Sequence, residues 1–295
     1  SSDQPVGNLK AATAKALGLS TETVVSAGGG DNMMGAIGTG NTKPGIVTAS
    51  FGTSGTIYAC SAKPVIDPLG EIAAFCDSTN RWLPLLCTMN VTVATEMVRE
   101  HYGMTHIQYE KEASKIGPGS EGLVLLPYLE GERTPSVPNG TGVWFGVNTR
   151  NNKRGHFARA AMEGVTMGMN YGLKRLANLG VKARQIRVTG GGANSKVWRQ
   201  IMADIFNAEV VTLSVSEGAA YGAAIQAMWC VGRTQSGKSS IEEITDRFVK
   251  INKSQISRPN PENMRVYRKF NSIQDNLSSS LRTVFDSHRG LLVCE

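Results

Sequence analysis

The sequence has 295 residues, long enough for one large domain or two smaller ones. It is 41% hydrophobic and 19% charged, which is typical of a globular protein. No apolar run approaches the roughly 18 residues that a membrane-spanning helix needs. The net charge is +7, but the lysines and arginines are dispersed and mostly lie beside acids, which disfavours nucleic acid as a partner. We therefore expect a soluble protein without a membrane or nucleic-acid partner.

The cysteines and the first residues bear on the compartment. Five cysteines are scattered without a Cys-x-x-Cys pair, which disfavours zinc and disulfide frameworks, and the histidines show no metal-ligand spacing. The first residues show no basic-then-apolar secretory pattern. These features predict a cytoplasmic protein whose cysteines are mostly small buried hydrophobic residues. They are Cys60, Cys76, Cys87, Cys230 and Cys294.

The first part of the chain predicts short elements separated by glycine. An alanine-rich helix over 7–17 is ended by Gly18, and a buried strand over 23–27 enters a cluster of three glycines. The helix expected over 32–38 contains two glycines, which predicts close packing against a neighbour. Two β-branched runs around Gly52–Gly55 predict a hairpin. Further elements are expected as strands within 61–81, over 81–87 and over 123–126, and as a helix over 91–102 capped by Asn90.

The second half predicts regular alternation. A long helix is expected from Gly155 to Leu179, followed by strand 185–189, helix 194–206, strand 209–213 and helix 217–230. This order indicates an α/β protein. The expected C-terminal part is a polar loop over 233–240 and then two charged helices separated by Pro259-Asn260-Pro261.

Asp31 follows a strand and the glycines 28–30, so a substrate can approach the backbone closely there. A carboxylate in this position can accept the proton of a hydroxyl that attacks phosphorus. It can equally cap the helix that contains Met33. The two roles are compatible, and the residues alone leave both open.

Two further glycine clusters are candidates for phosphate binding. In Gly52-Thr53-Ser54-Gly55, successive N–H groups and a hydroxyl can bind phosphate oxygens, although the same residues also suit an ordinary turn. Gly190-Gly191-Gly192-Ala193-Asn194 lies between a strand and a helix, where the helix N-terminus attracts anions. This placement favours a nucleotide over a dinucleotide site, because the sixth position of the dinucleotide pattern is Ser195 instead of glycine.

Two other segments are interpreted structurally. Gly232 to Ser239 matches the phosphate-binding loop pattern G-x-x-x-x-G-K-S, but a helical segment precedes it where that motif requires a strand. Gly232 is therefore expected to end that helix, and the rest to be a polar loop. Glu130, Glu132 and Arg133 are enclosed by proline and glycine, which favours a fixed charged network over a solvated loop.

These clusters, in this order, resemble the FGGY carbohydrate kinases. The motifs cover residues 24 to about 230. They are Ala27-Gly-Gly-Gly-Asp-Asn32, Ser50-Phe-Gly-Thr-Ser-Gly55, Pro127-Tyr-Leu-Glu-Gly-Glu-Arg-Thr-Pro135, Thr189-Gly-Gly-Gly-Ala-Asn194, and Gly142-Val-Trp-Phe-Gly-Val147 with the following His156-Phe157 and Ala160-Ala161-Met162-Glu163.

The resemblance implies an actin-like ATPase fold of the ribonuclease-H type, with a mixed sheet flanked by helices and two domains that close on ATP and a sugar. It implies that Asp31 is the catalytic base and, with Asn32, contacts the sugar. It also implies Mg²⁺ as the ion that neutralises the phosphates. The implied nucleotide contacts are Gly52, Thr53 and Ser54 at the phosphates, Gly191, Gly192 and Asn194 near the adenosine, and Asn90.

The chain departs from the family pattern at its beginning, because the family's Asp-x-Gly-Thr motif and most sugar-contacting residues have no counterpart here. By resemblance, residues 1–44 are the tail of the N-terminal sugar-binding domain. Residues 45–295 are the complete C-terminal nucleotide-binding domain with a helical tail. We therefore expect the 295-residue chain alone to lack sugar kinase activity.

The motifs Gly-Gly-Gly-Asp-Asn and Gly-Glu-Arg-Thr-Pro favour phosphorylation of D-xylulose to D-xylulose 5-phosphate, with gluconate, ribulose and glycerol left open. The expected partners are ATP and a small sugar, and a homodimer is left open. Two other classes also stay open. They are a non-catalytic actin-like nucleotide-binding or regulatory domain and a dinucleotide-dependent oxidoreductase.

Overall fold

The computed structural model describes residues 2–215 and 218–292, so Glu217 and Cys294 lie outside the described residues. The helices are α1 (Ala11–Leu17), α2 (Asp31–Gly38), α3 (Thr92–His101), α4 (His106–Ser114), α5 (Arg154–Asn178), α6 (Lys196–Phe206), α7 (Gly218–Ser236), α8 (Ile241–Phe248), α9 (Pro261–Ser280) and α10 (Arg282–Leu292). The strands are β1 (Pro5–Asn8), β2 (Val24–Ser26), β3 (Ile46–Phe51), β4 (Gly55–Ala59), β5 (Ala73–Cys76), β6 (Trp82–Thr88), β7 (Val124–Pro127), β8 (Gly142–Phe145), β9 (Gln185–Thr189), β10 (Glu209–Leu213) and β11 (Ile251–Ser257).

A mixed sheet of seven strands forms the centre, in the order β11-β10-β9-β3-β4-β6-β5. Strands β10, β9 and β3 run parallel, and the remaining pairs are antiparallel. Because successive strand residues face opposite sides, Ile57 of β4 packs in the core that contains α5, whereas Tyr58 packs with Ala36 of α2. Helices therefore cover both faces, as expected for this α/β fold.

Helices α2 and α7 pack backbone to backbone. A Cβ atom on Gly38 would lie 1.8 Å from the carbonyl oxygen of Gly218, and one on Gly222 would lie 1.7 Å from that of Met34. The close packing expected from the glycines in α2 is confirmed. It holds α2, and with it Asp31, firmly against α7.

Several predicted elements need correction. The first helix begins at Ala11 instead of residue 7, because β1 pairs with β2. Its predicted end at Gly18, in the left-handed conformation at φ 65°, is confirmed. Helix α7 continues past Gly232 to Ser236, so Gly232 does not end it, and only the last part of 233–240 is a loop.

The C-terminal part contains a strand that the sequence did not suggest. Its polar strand β11 extends the sheet by pairing with β10. The predicted placement of Pro259-Asn260-Pro261 between two helices is wrong, because β11 precedes this segment and both α9 and α10 follow it. Asn260 caps α9 by accepting a hydrogen bond from the Glu262 N–H at 2.9 Å. Helix α4 and strands β1 and β8 were also not predicted.

Candidate active site

The parallel pairing of β3 with β9 brings two glycine clusters together. Ser50 lies opposite Thr189 at the ends of these strands, so the Gly52 turn and the Gly190 loop leave the sheet at the same edge. A Cβ on Gly190 would lie 2.6 Å from the carbonyl oxygen of Phe51. The φ of Gly190 is +84°, a conformation that glycine adopts without strain. The carboxyl edge of parallel strands is where α/β proteins commonly bind ligands.

Asp31 lines a cavity of about 220 Å³ at this edge of the sheet. It is the first residue of α2, and Gly30 occupies the N-cap position, so the alternative role of Asp31 as the cap is wrong. Its exposed carboxylate accepts a hydrogen bond from the Asn32 N–H at 2.8 Å. The cavity is lined by Asp31, Asn32, Gly35, Thr39, Ser50, Thr56, Tyr58, Thr189, Gly190, Gly218 and Ala219.

Tyr58 forms part of the wall beside Asp31. Burial raises the pKa of its hydroxyl, and the negative charge of Asp31 raises it further. A Cβ on Gly35 would lie 2.7 Å from the Tyr58 hydroxyl oxygen, so the glycine makes room for this group. The motifs did not indicate Tyr58. The alternation of side chains on β4 places both Thr56 and Tyr58 on the cavity side.

The hairpin turn presents Thr53 and Ser54 as exposed residues at its tip, as predicted for a hairpin between β3 and β4. The backbone of the turn is fixed by the start of α3. The Thr92 N–H donates to the Gly52 carbonyl at 2.9 Å, and the Val91 N–H donates to the Thr53 carbonyl at 3.0 Å. The turn therefore has a defined position, and its hydroxyls stay accessible.

Asn90 precedes α3 and binds through its side chain to the segment that contains Gly131 and Glu132. It does not cap α3, because Val91 occupies the cap position without a side-chain hydrogen bond. Its buried amide Nδ2 donates to the Gly131 carbonyl at 2.7 Å and to Glu132 Oε2 at 3.0 Å. It lines neither the Asp31 cavity nor a second, larger cavity beside α3 that is lined by Gly191, Gly192 and Asn194.

Glu132 is the buried centre of that network. Its Oε1 accepts hydrogen bonds from the N–H groups of Met89 and Arg133, both at 2.7 Å. Burial raises the pKa of its carboxyl, and the hydrogen bonds lower it only in part. Of the predicted charged network, only Glu132 is buried, whereas Glu130 and Arg133 are exposed.

A second cavity, of about 500 Å³, lies between α3, α4 and the third glycine cluster, which is Gly190-Gly191-Gly192. Its apolar wall includes Met162 and Trp198, and its polar groups include Thr92 and Glu96. None of these had been singled out as a binding residue. The predicted residues Gly191, Gly192 and Asn194 line this cavity.

The third cluster differs in detail from the prediction. Residues Gly191–Asn194 form a 3₁₀ turn, and α6 begins only at Lys196. Ser195 caps α6 by accepting from the Trp198 N–H at 3.1 Å, and it donates from Oγ to Glu110 Oε1 at 3.0 Å. The glycines thus meet the cavity as a turn before the helix, not as its first residues.

The segment that matches the phosphate-binding loop pattern, Gly232 to Ser239, does not have the structure of such a loop. Its first five residues continue α7, and the Thr234 hydroxyl donates to the Cys230 carbonyl at 2.9 Å, as in an ordinary helix. The helix that precedes the pattern agrees with the prediction that the segment is not a phosphate-binding loop, whereas the predicted helix end at Gly232 is wrong. Of the cysteines, Cys60 and Cys230 are buried as expected, but Cys76 is exposed.

Within 2–215 and 218–292, no group of three or more histidine, cysteine, aspartate or glutamate side chains is placed to hold a metal. None of the helices in those ranges has both the length and the apolar character to cross a membrane.

Comparison with known sequences assigns this chain to a family. The profile of the C-terminal domain of the FGGY family of carbohydrate kinases matches residues 47–231. The chain belongs to this FGGY family. The predicted resemblance is confirmed, and the match covers β9, β3 from its second residue onward, and the glycine clusters 52–55 and 190–192.

Similar proteins extend the match beyond the family domain. The chain is 40% identical over 268 residues to a xylulose kinase of Haemophilus influenzae, covering 91% of this chain and 53% of that protein. It is 31% identical to a gluconokinase of Bacillus licheniformis, covering 91% of this chain and 54% of that protein. The chain thus spans about half the length of these FGGY relatives.

The fold also matches a solved structure. A ligand-bound xylulose kinase of Lactobacillus acidophilus superposes with a TM-score of 0.89 at 24% identity, covering 97% of this chain and 58% of that one. The predicted actin-like fold, with a mixed sheet flanked by helices, is confirmed.

Proposed function

We propose that this chain is the nucleotide-binding part of an ATP-dependent sugar kinase and carries its catalytic carboxylate. D-xylulose is the favoured substrate, and D-xylulose 5-phosphate is the product. Support for this substrate comes from the 40% identity to a protein named xylulose kinase. The 31% identity to a gluconokinase makes gluconate the second candidate.

The observation that carries the proposal is the position of the third glycine cluster between the two cavities. Gly190 lines the Asp31 cavity, whereas Gly191 and Gly192 line the larger one beside α3. A nucleoside in the larger cavity would extend its phosphates across this backbone toward Asp31. The absence of side chains on the glycines leaves the space that such an approach needs.

Each residue then has a chemical role. Asp31 accepts the hydroxyl proton of the sugar while that oxygen bonds to the γ-phosphorus of ATP and ADP leaves. Asn32 lies beside it and contacts the sugar. In the turn, Gly52, Thr53 and Ser54 contact the phosphates. Gly191, Gly192 and Asn194 contact the adenosine, and Asn90 acts by positioning the turn through its network with Glu132.

The donors at this edge suit Mg²⁺ held together with ATP. Of the described residues that line the cavity, Asp31 is the carboxylate, and the hydroxyls of Ser50 and Thr56 lie on the same wall. Mg²⁺ commonly binds through one or two carboxylates and the substrate phosphates while keeping several waters. When bound, Mg²⁺ supplies neutralisation of phosphate charge.

The proposed function also implies a boundary between two domains. We propose that residues 1–44 belong to the sugar-binding domain and that 45–295 form the nucleotide-binding domain. The family profile begins close to this boundary, at residue 47. The remaining sugar contacts would come from the part of the relatives' length that this chain does not match, so the chain alone should lack kinase turnover.

Nucleotide binding is tested directly on the 295-residue chain by isothermal titration calorimetry. Thr53→Val and Asn194→Ala should each weaken ATP binding about tenfold, the loss of one hydrogen bond to a charged or tightly held group. Lys238→Ala is the matched control, because Lys238 lines neither cavity of the candidate site, and it should bind ATP like the wild type. Equal loss in the control would contradict the site.

Phosphoryl transfer is tested in a protein of the relatives' full length that contains these residues. Asp31→Asn should lower kcat by about 10² to 10⁴, the usual contribution of a general base, with ATP affinity retained. Rates with D-xylulose, gluconate, ribulose and glycerol identify the substrate. Unchanged turnover in Asp31→Asn would refute Asp31 as the catalytic base.

A further inference from the structure

A third cavity lies on another side of α6, away from the two cavities of the candidate active site. Its volume is about 630 Å³, and it shares no lining residue with either of them. Its walls come from α6, from β11, from the start of α9 and from the segment that follows α4. The proposed kinase reaction has no use for it.

The charged side chains that line this cavity are all basic. Arg159, Lys196 and Arg199 line it, and none of its described lining residues is a carboxylate. Glu163 accepts a hydrogen bond from Arg159 Nε at 2.7 Å and so neutralises that residue. The charges of Lys196 and Arg199 remain, and they match the two negative charges of a phosphate monoester dianion.

Arg199 is buried to 95%, since only 5% of its surface is exposed. Its Nη1 donates to the carbonyl oxygens of Ala193 and Asn194, at 2.6 and 3.0 Å, but its Nε has no hydrogen-bond partner. Burial lowers the pKa of Arg199, and the negative charge of Glu110 offsets this only in part. A buried guanidinium with an unused donor and no directly paired carboxylate is in an environment that an anion would stabilise.

Arg159 of α5, which also lines this cavity, has an unused hydrogen-bond donor. Arg159 donates from Nε to Glu163 and from Nη2 to the Tyr267 hydroxyl, at 2.7 and 2.8 Å. Within 2–215 and 218–292, its Nη1 donates no hydrogen bond. Side-chain amides and hydroxyls, including Gln255 and Ser254, complete the lining. These groups suit an anion that accepts several hydrogen bonds, as a phosphate does.

We propose that this cavity binds a small molecule carrying a phosphate dianion and that Arg199 couples its occupancy to the third glycine cluster. The coupling is direct, because the same guanidinium holds the carbonyls of Ala193 and Asn194, and Asn194 lines the cavity beside α3. The coupling rests on the proposed function, whereas the anion binding does not.

Binding is tested with inorganic phosphate, titrated into the 295-residue chain by calorimetry at low ionic strength. Lys196→Ala and Arg199→Lys should each weaken phosphate binding at least about tenfold, as expected for one lost charge-assisted hydrogen bond. Lys269→Ala, an exposed lysine on α9 that does not line the cavity, is the matched control and should bind like the wild type. Thermal unfolding verifies that each variant is folded.

Phosphate could also occupy the turn at Thr53, and Thr53→Val separates the two sites. If Thr53→Val abolishes phosphate binding and Lys196→Ala does not, the proposal is overturned. It is equally overturned if the wild type binds no phosphate. Because Lys196→Ala changes an exposed side chain, its result stands even if Arg199→Lys fails to fold.

The coupling is measured with adenosine, which carries no phosphate and cannot compete at the turn. Saturating phosphate should change adenosine affinity at least about fivefold in the wild type and not in Lys196→Ala, in the range of typical coupling between sites. Phosphate binding without this change would refute the coupling. Failure of adenosine to bind at all would count against the proposed nucleotide site and leave the phosphate titration valid.

Discussion

Ser50 of β3 lies directly opposite Thr189 of β9 in the parallel register of the central sheet. Both residues line the cavity that contains Asp31. Two segments about 140 residues apart in the chain therefore end at the same place, a separation that strand pairing bridges. The candidate site is a consequence of this register, since Gly52 and Gly190 each follow one of the paired strand ends.

Gly190→Ala tests the contact between the two strand ends. The added Cβ would lie 2.6 Å from the Phe51 carbonyl oxygen at a φ of +84°, so both overlap and backbone strain are expected. We predict a loss of about 1–3 kcal/mol in the free energy of unfolding, together with weaker ATP binding. Chemical denaturation and calorimetry measure the two effects.

Gly191→Ala is the matched control for stability. It has no heavy atom within 4 Å of the added Cβ and no positive φ, so its stability should stay within about 0.5 kcal/mol of the wild type. Equal destabilisation of both variants would contradict a specific contact between Gly190 and β3.

Gly38→Ala tests the packing of α2 on α7. The new methyl group would lie 1.8 Å from the Gly218 carbonyl oxygen, and backbone atoms there cannot rotate away as a side chain does. Overpacking of this kind costs about 1–3 kcal/mol and sometimes more. In thermal unfolding, we expect a clear fall in Tm. Gly117→Ala, where nothing lies within 4 Å, should show none.

Glu132→Gln tests the buried network below the turn. Glutamine replaces one of the two accepting oxygens with an NH2 group, which cannot accept from Met89, Asn90 or Arg133, so at least one hydrogen bond is lost whether or not the carboxyl is protonated. At about pH 4 we expect the free energy of unfolding to fall by about 1–3 kcal/mol. Nucleotide affinity should also fall, because the Asn90 region supports α3 and the turn.

The pH dependence of this variant has a definite sign. The folded pKa of Glu132 is raised by burial, so the folded state holds the proton more tightly than the unfolded state. The wild type therefore loses stability as the pH rises from about 4.3, the ordinary glutamate value, through the folded pKa. Since glutamine does not titrate, the difference in the free energy of unfolding between wild type and variant should become smaller over that pH range.

Denaturation at several pH values measures this gap, with Glu130→Gln as the control. Glu130 lies in the same loop but is exposed, and its substitution should give a small difference that does not follow the Glu132 pattern. A wild-type advantage that grows with rising pH would show that Glu132 has a lowered pKa in the folded state.

Much of the fold was predictable because it depends on local signals. The strands before Gly52 and Gly190, the hairpin and the close packing of α2 follow from β-branched runs and glycines that act on their own neighbours. The same is true of the helical origin of the segment near Gly232, although its length was not predicted. Strand β11 was missed because its polar residues gain their pairing only from distant β10.

The residues around the site divide in the same way. By itself, the sequence determined that Asp31 follows a strand and glycines, and the order of its motifs pointed to the FGGY family. Only the tertiary structure decided that Asn90 supports the turn through buried Glu132 instead of capping a helix. It alone placed Gly190 between two cavities and left Arg199 with an unused donor beside a third. Propensity and capping act over a few residues, whereas burial and hydrogen-bond partners depend on chain segments that meet only after folding.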